Sequence, residues 1–196
     1  GVLELPIMLS SSAMRGRFNP VDKQLYVAGF RGWQTNAAKE SSLQRVRYNG
    51  KKVATPKELK VTKDGVYITF TQKLDKELAE DKGSYNIKWW NYLWSPQYGS
   101  AHLSVNNPDK EAIARAMKKE SKAGGTRGAN VAKPSFAGDD VPLASAKLLE
   151  DGKTVFLKIP GIRPVMQMEI SIDVETTDGD EIITKIYNSI YKLADK

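Results

Sequence analysis

Residues 166–187 read MQMEISIDVETTDGDEIITKIY, and this stretch decides the fold class. On one side of its central Asp178-Gly179 pair, apolar residues recur at every second position: Met166, Met168, Ile170, Ile172 and Val174. A period of two is typical of a strand that buries one face. Glycine supplies the positive φ of a tight turn, so the pattern predicts a hairpin that pairs 165–175 with 182–187.

Two further Asp-Gly pairs, at Asp64-Gly65 and Asp151-Gly152, lie between apolar runs of the same kind. They predict that 59–61 pairs with the strand around Val66 and that 144–149 pairs with the strand around Val155. A single helical turn is expected within 74–81. Residues 55–196 are therefore predicted to form an all-β domain, an antiparallel Ig-like β-sandwich with a short helical insertion.

The first 54 residues have a different pattern. Four short strand candidates, at 6–9, 15–18, 25–30 and 43–48, follow one another at even spacing, as in one blade of a β-propeller. One blade cannot bury its faces alone. We therefore expect this set of strands to pack on the sandwich, or its neighbours to belong to a larger protein of which the chain is a fragment. The predicted domains are 1–54 and 55–196.

The insertion at 108–133 holds much of the positive charge. Asn107 as N-cap and Pro108 predict a helix over 108–121, and a glycine-rich loop follows at 123–130. Residues 109–133 carry seven basic and three acidic side chains. A run of charge is usually a solvated surface, so nucleic acid is not the expected partner, but contact with it is the functional alternative. That basic patch comprises Lys118, Lys119, Lys122 and Arg127.

Aromatic residues are concentrated in residues 84–94, SYNIKWWNYLW. The stretch begins as a strand with Tyr85, Ile87 and Trp89 inward, but a second apolar face starts at Trp90. We expect this second face to be covered from within by the N-terminal strands. The alternative is a sugar-binding face of flat rings with polar edges. Its candidate residues are Trp90, Tyr92 and Trp94, with Trp33 and Tyr98 as lesser candidates.

Counting residues removes many kinds of chemistry. With no Cys there is no disulfide, thiolate nucleophile or Cys-ligated cluster, and one histidine, His102, leaves His-rich metal sites and most catalytic triads without parts. Acidic pairs at 139–140 and 150–151 form no recognisable catalytic motif, and 178–181 lacks the spacing of a calcium loop. We predict no catalytic residue, metal or cofactor. No apolar run reaches the ~20 residues of a membrane span.

Two parts of the chain carry a resemblance to known families. Residues 17–35 (RFNPVDKQLYVAGFRGWQT) with 43–50 (LQRVRYNG) resemble the closing propeller blade of large secreted bacterial proteins related to sugar (glucose/sorbosone-type) dehydrogenases. Residues 65–70 (GVYITF), Leu74-Asp75, Ala79, Tyr85 and 151–155 (DGKTV) are similar to bacterial Ig-like domains of the surface-layer type. The resemblance implies a secreted or periplasmic setting, and such Ig-like domains act as spacers or binding modules.

The same resemblance carries over no activity. Those dehydrogenases hold a quinone in a complete propeller, and their haem partners need Cys-x-x-Cys-His, and this chain has neither. The favoured hypothesis is a non-catalytic structural or docking module whose partners are other domains of its parent protein. A carbohydrate-binding module that takes polysaccharide is the alternative, and nucleic-acid binding through the basic patch is the third.

Overall fold

The computed structural model describes residues 1–3, 7–32, 39–92, 102–108 and 138–194. In chain order its strands are β1 (Val2–Leu3), β2 (Ala13–Phe18), β3 (Leu25–Phe30), β4 (Ser41–Val46), β5 (Pro56–Val61), β6 (Gly65–Phe70), β7 (Tyr85–Tyr92), β8 (His102–Leu103), β9 (Asp139–Asp140), β10 (Ser145–Leu148), β11 (Thr154–Lys158), β12 (Val165–Glu175) and β13 (Glu181–Ile190). The predicted all-β class is confirmed. The chain divides into two compact units, a larger one of Gly1–Glu4 with Val53–Lys196 and a smaller one of Leu5–Lys52.

The larger unit contains two antiparallel sheets. In the first the strand order is β1-β13-β12-β7-β8, and β9 also pairs with β7. In the second the order is β10-β11-β6-β5. The three predicted hairpins are confirmed, since β5 pairs with β6, β10 with β11 and β12 with β13. Two of the three Asp-Gly glycines, Gly152 and Gly179, adopt the positive φ values that the pattern requires, 66° and 84°. Gly65 instead has a φ of 157° and is the first residue of β6.

One short helix, α1 (Lys76–Glu80), follows β6. It begins at Asp75, whose side chain accepts a hydrogen bond from the Leu78 backbone N–H at 3.0 Å, which is the usual N-cap arrangement. A single 3-10 turn (Lys82–Ser84) then leads into β7. The helical turn expected within 74–81 is confirmed.

Both sheets of the larger unit contribute to one hydrophobic core. Val66, Ile68 and Phe70 of β6 belong to the same buried cluster as Met168, Ile170 and Ile172 of β12. The inward direction predicted for Tyr85, Ile87 and Trp89 is confirmed, because all three are buried. The Tyr85 hydroxyl donates to the Ala79 carbonyl at 2.9 Å. Burial raises the pKa of that phenol far above its ordinary value, and the Asp81 carboxylate adds to the rise.

The inward facing predicted for β12 is wrong at one residue, Met166. Met166 was predicted to point inward with Met168, but its side chain is 41% exposed, and Val165 is buried in its place. The pairing of β12 with β13 shifts register between Val165 and Met168. An extra residue at a bulge reverses the facing of the residues before it, so alternation holds only from Met168 onward.

The smaller unit contains one antiparallel sheet with the order β2-β3-β4. The strand predicted at 25–30 is β3, and those predicted at 15–18 and 43–48 overlap β2 and β4. Residues 7–9 form no strand, unlike the prediction for 6–9. Val2 and Leu3 instead pair with Tyr187 and Ile186 of β13, so the chain begins in the larger unit.

The insertion falls mostly outside the described residues. Only residues up to Pro108 of the predicted 108–121 helix are described, and the 123–130 loop is not. In the ranges that the structure covers, no helix combines the length and hydrophobicity needed to cross a membrane.

Candidate functional site

The end of β7 brings four ring and amide side chains together. The pairing of β12 with β7 sets Gln167 opposite Trp90, and the pairing of β7 with β8 sets Tyr92 opposite His102. These four residues line a shallow groove of about 380 Å³, which we call the aromatic groove. Long-range strand pairing therefore builds the groove from three separate parts of the chain.

Inside the aromatic groove the Trp90 indole stacks on the His102 imidazole, with ring centroids 5.0 Å apart and planes 25° apart. Both residues are half-buried, and so are Tyr92 and Gln167. The imidazole covers part of the indole, and the remaining ring surface lies beside an amide and a phenol. Such a combination of flat apolar surface and polar edges suits a ligand with both C–H and hydroxyl groups.

Met166 links the two strands that carry the groove. The Tyr92 backbone N–H donates to the Met166 sulfur at 3.3 Å, and the Met166 backbone N–H donates to Asn91 Oδ1 at 3.0 Å. The bulge that excludes Met166 from the core thus ties β12 to the end of β7. This fixes the strand end on which Trp90 and Tyr92 are carried.

The sequence identified part of this groove. Trp90 and Tyr92 were candidates and are brought together, whereas Trp94, Tyr98 and Trp33 lie outside the described residues. His102 was noted only as the single histidine of the chain, and Gln167 was not identified at all. Gln167 alternates with buried residues in the 165–175 pattern, which marks it as outward-facing, but only strand order places it beside Trp90.

A second groove lies on the outer face of the other sheet. It has a volume of about 660 Å³, and its lining includes Glu58, Lys60, Tyr67 and Thr69. The Tyr67 ring contacts that of Phe156 at a centroid distance of 4.5 Å and an interplanar angle of 33°. A cross-strand aromatic pair of this kind stabilises a sheet without any ligand.

The acidic pair at 139–140 has a structural position. Asp139 accepts hydrogen bonds from the Ser104 hydroxyl at 2.8 Å, the Val105 backbone N–H at 2.7 Å and the Asn106 backbone N–H at 3.0 Å. We call this arrangement the Asp139 clasp. Asp140 has an exposed side chain whose carboxylate lies 3.8 Å from the Lys88 ammonium. The clasp uses Asp139 to hold the 104–106 segment against β9.

Asp151 also has a local role, in the turn between β10 and β11. Its carboxylate accepts from the Thr154 hydroxyl at 2.6 Å and from the Lys153 and Thr154 backbone N–H groups, both at 2.8 Å. These hydrogen bonds, the one from the Thr154 hydroxyl foremost, lower the pKa of Asp151. Across the described ranges no group of three or more His, Cys, Asp or Glu side chains could hold a metal ion.

The basic patch, Lys118, Lys119, Lys122 and Arg127, lies outside the described residues. Comparison with known proteins adds no assignment. No protein-family model matches the chain, and searches of curated proteins and of solved structures return no match.

Proposed function

We propose that the chain is a non-catalytic structural or docking module of a larger secreted or periplasmic protein. The observation that carries the proposal is the bare apolar surface of the smaller unit. In its described residues Val27 is the one buried large hydrophobic side chain. Eight others are exposed: Ile7, Met8, Met14, Phe18, Val21, Phe30, Leu43 and Tyr48.

The two units differ sharply in this respect. In the larger unit, side chains such as Phe70, Leu157 and Ile170 have an exposed fraction of 1% or less, so its core needs no further layer. A three-stranded sheet gains stability only when a hydrophobic face packs against something. Contiguous patches of exposed apolar side chains mark interaction sites, and the described part of the smaller unit has eight exposed large apolar side chains for one that is buried. The smaller unit therefore suits a role in which another protein surface covers it.

Two carboxylates support the non-catalytic part of the proposal. Both belong to acidic pairs that the sequence analysis tested as catalytic motifs. Asp139 and Asp151 each accept three hydrogen bonds from neighbouring backbone and hydroxyl groups. Those bonds take up three of the roughly four lone-pair sites of each carboxylate, which is typical of a structural acceptor. The secreted or periplasmic setting rests on the family resemblance of residues 17–35 and 43–50.

Amide hydrogen exchange of the isolated chain tests the docking role. We expect amides of β2, β3 and β4 to exchange much faster than those of β6, β7, β11 and β12, because local stability follows buried apolar contact. Equal protection in both units of a monomeric chain would contradict the proposal, since the smaller unit would then need no partner.

A dye that fluoresces on apolar surface gives a second readout. Phe18→Ser and Leu43→Ser should lower its fluorescence, because these side chains are 72% and 74% exposed. Ile183→Ser is the matched control, since Ile183 is 71% exposed but lies on β13 of the larger unit. If all three variants lower the signal equally, the smaller unit is not a special surface.

A second candidate function, carbohydrate binding, is favoured by the aromatic groove. A sugar ring could place its C–H face on the Trp90 indole, with its hydroxyl groups at the Gln167 amide and the Tyr92 hydroxyl. The stacked His102 would hold the indole in one orientation. The groove is shallow, so a polysaccharide would lie across it rather than be enclosed.

Tryptophan fluorescence across a panel of neutral and acidic polysaccharides tests this candidate. Binding should shift the emission, and Trp90→Ala should abolish the shift. Trp89, which is buried, keeps the chain fluorescent and serves as an internal reference. A shift that survives in Trp90→Ala, or no shift with any polysaccharide, would rule out the aromatic groove as a sugar site.

A further inference from the structure

The smaller unit carries the whole net charge of the protein. The full sequence has 30 basic and 23 acidic residues and a net charge of +7. Residues 5–52 contain nine Lys and Arg and only two acidic residues, Asp22 and Glu40, which leaves 21 of each sign in the rest of the chain. Sequence reasoning missed this because it looked for charge in the insertion.

Three of these basic residues share one face of the small sheet. Tyr26 on β3 pairs with Arg17 on one side and Arg45 on the other. In the next row of that face, Ala28 pairs with Arg15 and Leu43. Directly paired residues point to the same side of a sheet, and so do residues two apart in a strand. We call this the arginine face: Arg15, Arg17, Tyr26, Leu43 and Arg45.

Residues 10–12 cover part of the opposite face of the small sheet. The Ser10 backbone N–H donates to Gln44 Oε1 at 2.8 Å, and Gln44 alternates with the residues of the arginine face. Gly29 also belongs to that opposite face, and a Cβ added there would lie 1.9 Å from the Ser12 carbonyl oxygen. The 10–12 segment therefore lies against the backbone of β3 on the side away from the arginines.

The arginine face is open, and its positive charge is offset only in part, by the Asp22 carboxylate, which interacts electrostatically with Arg45. Arg15, Arg17 and Arg45 are exposed, and Leu43 is 74% exposed. None of the three guanidinium groups is within ion-pair distance of a carboxylate in the described part of the chain. Asp22 forms no ion pair with them, and its carboxylate accepts hydrogen bonds from the Tyr26 hydroxyl at 2.8 Å and from the Gln24 backbone N–H at 3.0 Å.

We propose that the arginine face docks an acidic protein surface that also presents apolar side chains. The inference rests on the proposed docking function and names its partner's chemistry. Guanidinium groups pair with carboxylates through two parallel hydrogen bonds, and Arg and Tyr are the residues that dominate protein interfaces. Leu43 favours a protein over a nucleic acid, because a phosphate backbone offers nothing to cover a bare leucine.

Fluorescence anisotropy with the full chain tests the proposal. The probes are a labelled peptide of alternating glutamate and valine, the matching lysine–valine peptide and an oligothymidylate of similar length. We expect the acidic peptide to bind most tightly, and its affinity to fall between about 50 and about 200 mM salt. The variant with Arg15→Gln, Arg17→Gln and Arg45→Gln should lose at least about tenfold in affinity.

Leu43→Ser separates a protein surface from a plain polyanion. It should lower the affinity for the acidic peptide about fivefold, because an apolar contact is lost, and it should leave the affinity for oligothymidylate unchanged. Lys158→Gln and Ile183→Ser on the larger unit are matched controls, and neither should change any affinity. Circular dichroism confirms that each variant keeps its strands.

Three results would overturn the proposal. Oligothymidylate could bind more tightly than the acidic peptide, Leu43→Ser could leave the peptide affinity unchanged, or the lysine–valine peptide could bind as well. Each would reject the acidic protein partner and leave the docking function standing, provided that β2–β4 amides exchange quickly in the free chain. Slow exchange of those amides would reject the docking function itself.

Discussion

Replacing Asp139 by alanine should destabilise the larger unit without affecting any chemistry. The substitution removes the acceptor of three hydrogen bonds, with donor distances of 2.8, 2.7 and 3.0 Å. Val105 is 8% exposed and belongs to the hydrophobic core, so its backbone N–H loses an acceptor that water does not easily replace. Ser104 and Asn106 lie nearer the surface, where water can take over.

The magnitude follows from this difference in exposure. A hydrogen bond to a charged group contributes about 1.5–3 kcal/mol, and the full contribution is lost only at Val105. We expect Asp139→Ala to lower the free energy of unfolding by about 2–4 kcal/mol. For a chain of this size, each kcal/mol lowers Tm by roughly 2–4 °C, so Tm should fall by roughly 5–15 °C.

Thermal unfolding followed by tryptophan fluorescence measures the effect, and Asp140→Ala is the matched control. The Asp140 side chain is 81% exposed and its ion pair with Lys88 is 3.8 Å long, so the control should change stability by less than about 0.5 kcal/mol. Equal melting temperatures for the two variants would refute the clasp.

Three further predictions concern the core, the turn acid and the small sheet. Met168→Ala should lower the free energy of unfolding, measured by urea denaturation, by about 2–5 kcal/mol, whereas Met166→Ala, at an exposed site, should lower it by less than about 1 kcal/mol. Equal losses in the two variants would contradict the bulge. The hydroxyl of Thr154 lowers the pKa of Asp151 below its ordinary value of 3.8. The ionised carboxylate therefore stabilises the fold at pH values above 3.8. That stabilisation is lost as the pH falls through the lower pKa that Asp151 has in the folded chain. Asp151→Asn should therefore reduce the small fall in Tm that occurs below pH ~4. The same dependence of Tm on pH in the variant would contradict this role of Asp151. Gly29→Ala should speed amide exchange in β3 without changing the exchange of β6 and β11, since its added Cβ meets the backbone of the smaller unit at 1.9 Å.

The hairpins could be predicted because their signals are local. Each Asp-Gly pair lies within a few residues of both strands that it joins, and the period of two specifies which side chains turn inward. The same reasoning identified α1, whose cap residue Asp75 is adjacent to the helix. It failed at Met166, because a bulge in β12 depends on how that strand pairs with β13.

The candidate sites could be predicted only in part. Trp90 and Tyr92 are conspicuous because they break the alternation of their own strand. Gln167 and His102 join them through pairings of β7 with β12 and β8, and Gln167 is more than seventy positions away in the sequence. The arginine face has the same origin, since Arg17 and Arg45 meet on either side of Tyr26 only once three strands are in register.

The amino-acid sequence by itself determined the all-β class, the hairpin turns and the inward face of most strands, because these depend on φ preferences and on a repeat of two residues. Only the tertiary structure decided which strands are neighbours, that β1 joins the larger unit, and that the positive charge lies on a sheet with little core of its own. Pairing between distant strands depends on the packing of the whole chain, which no local repeat specifies.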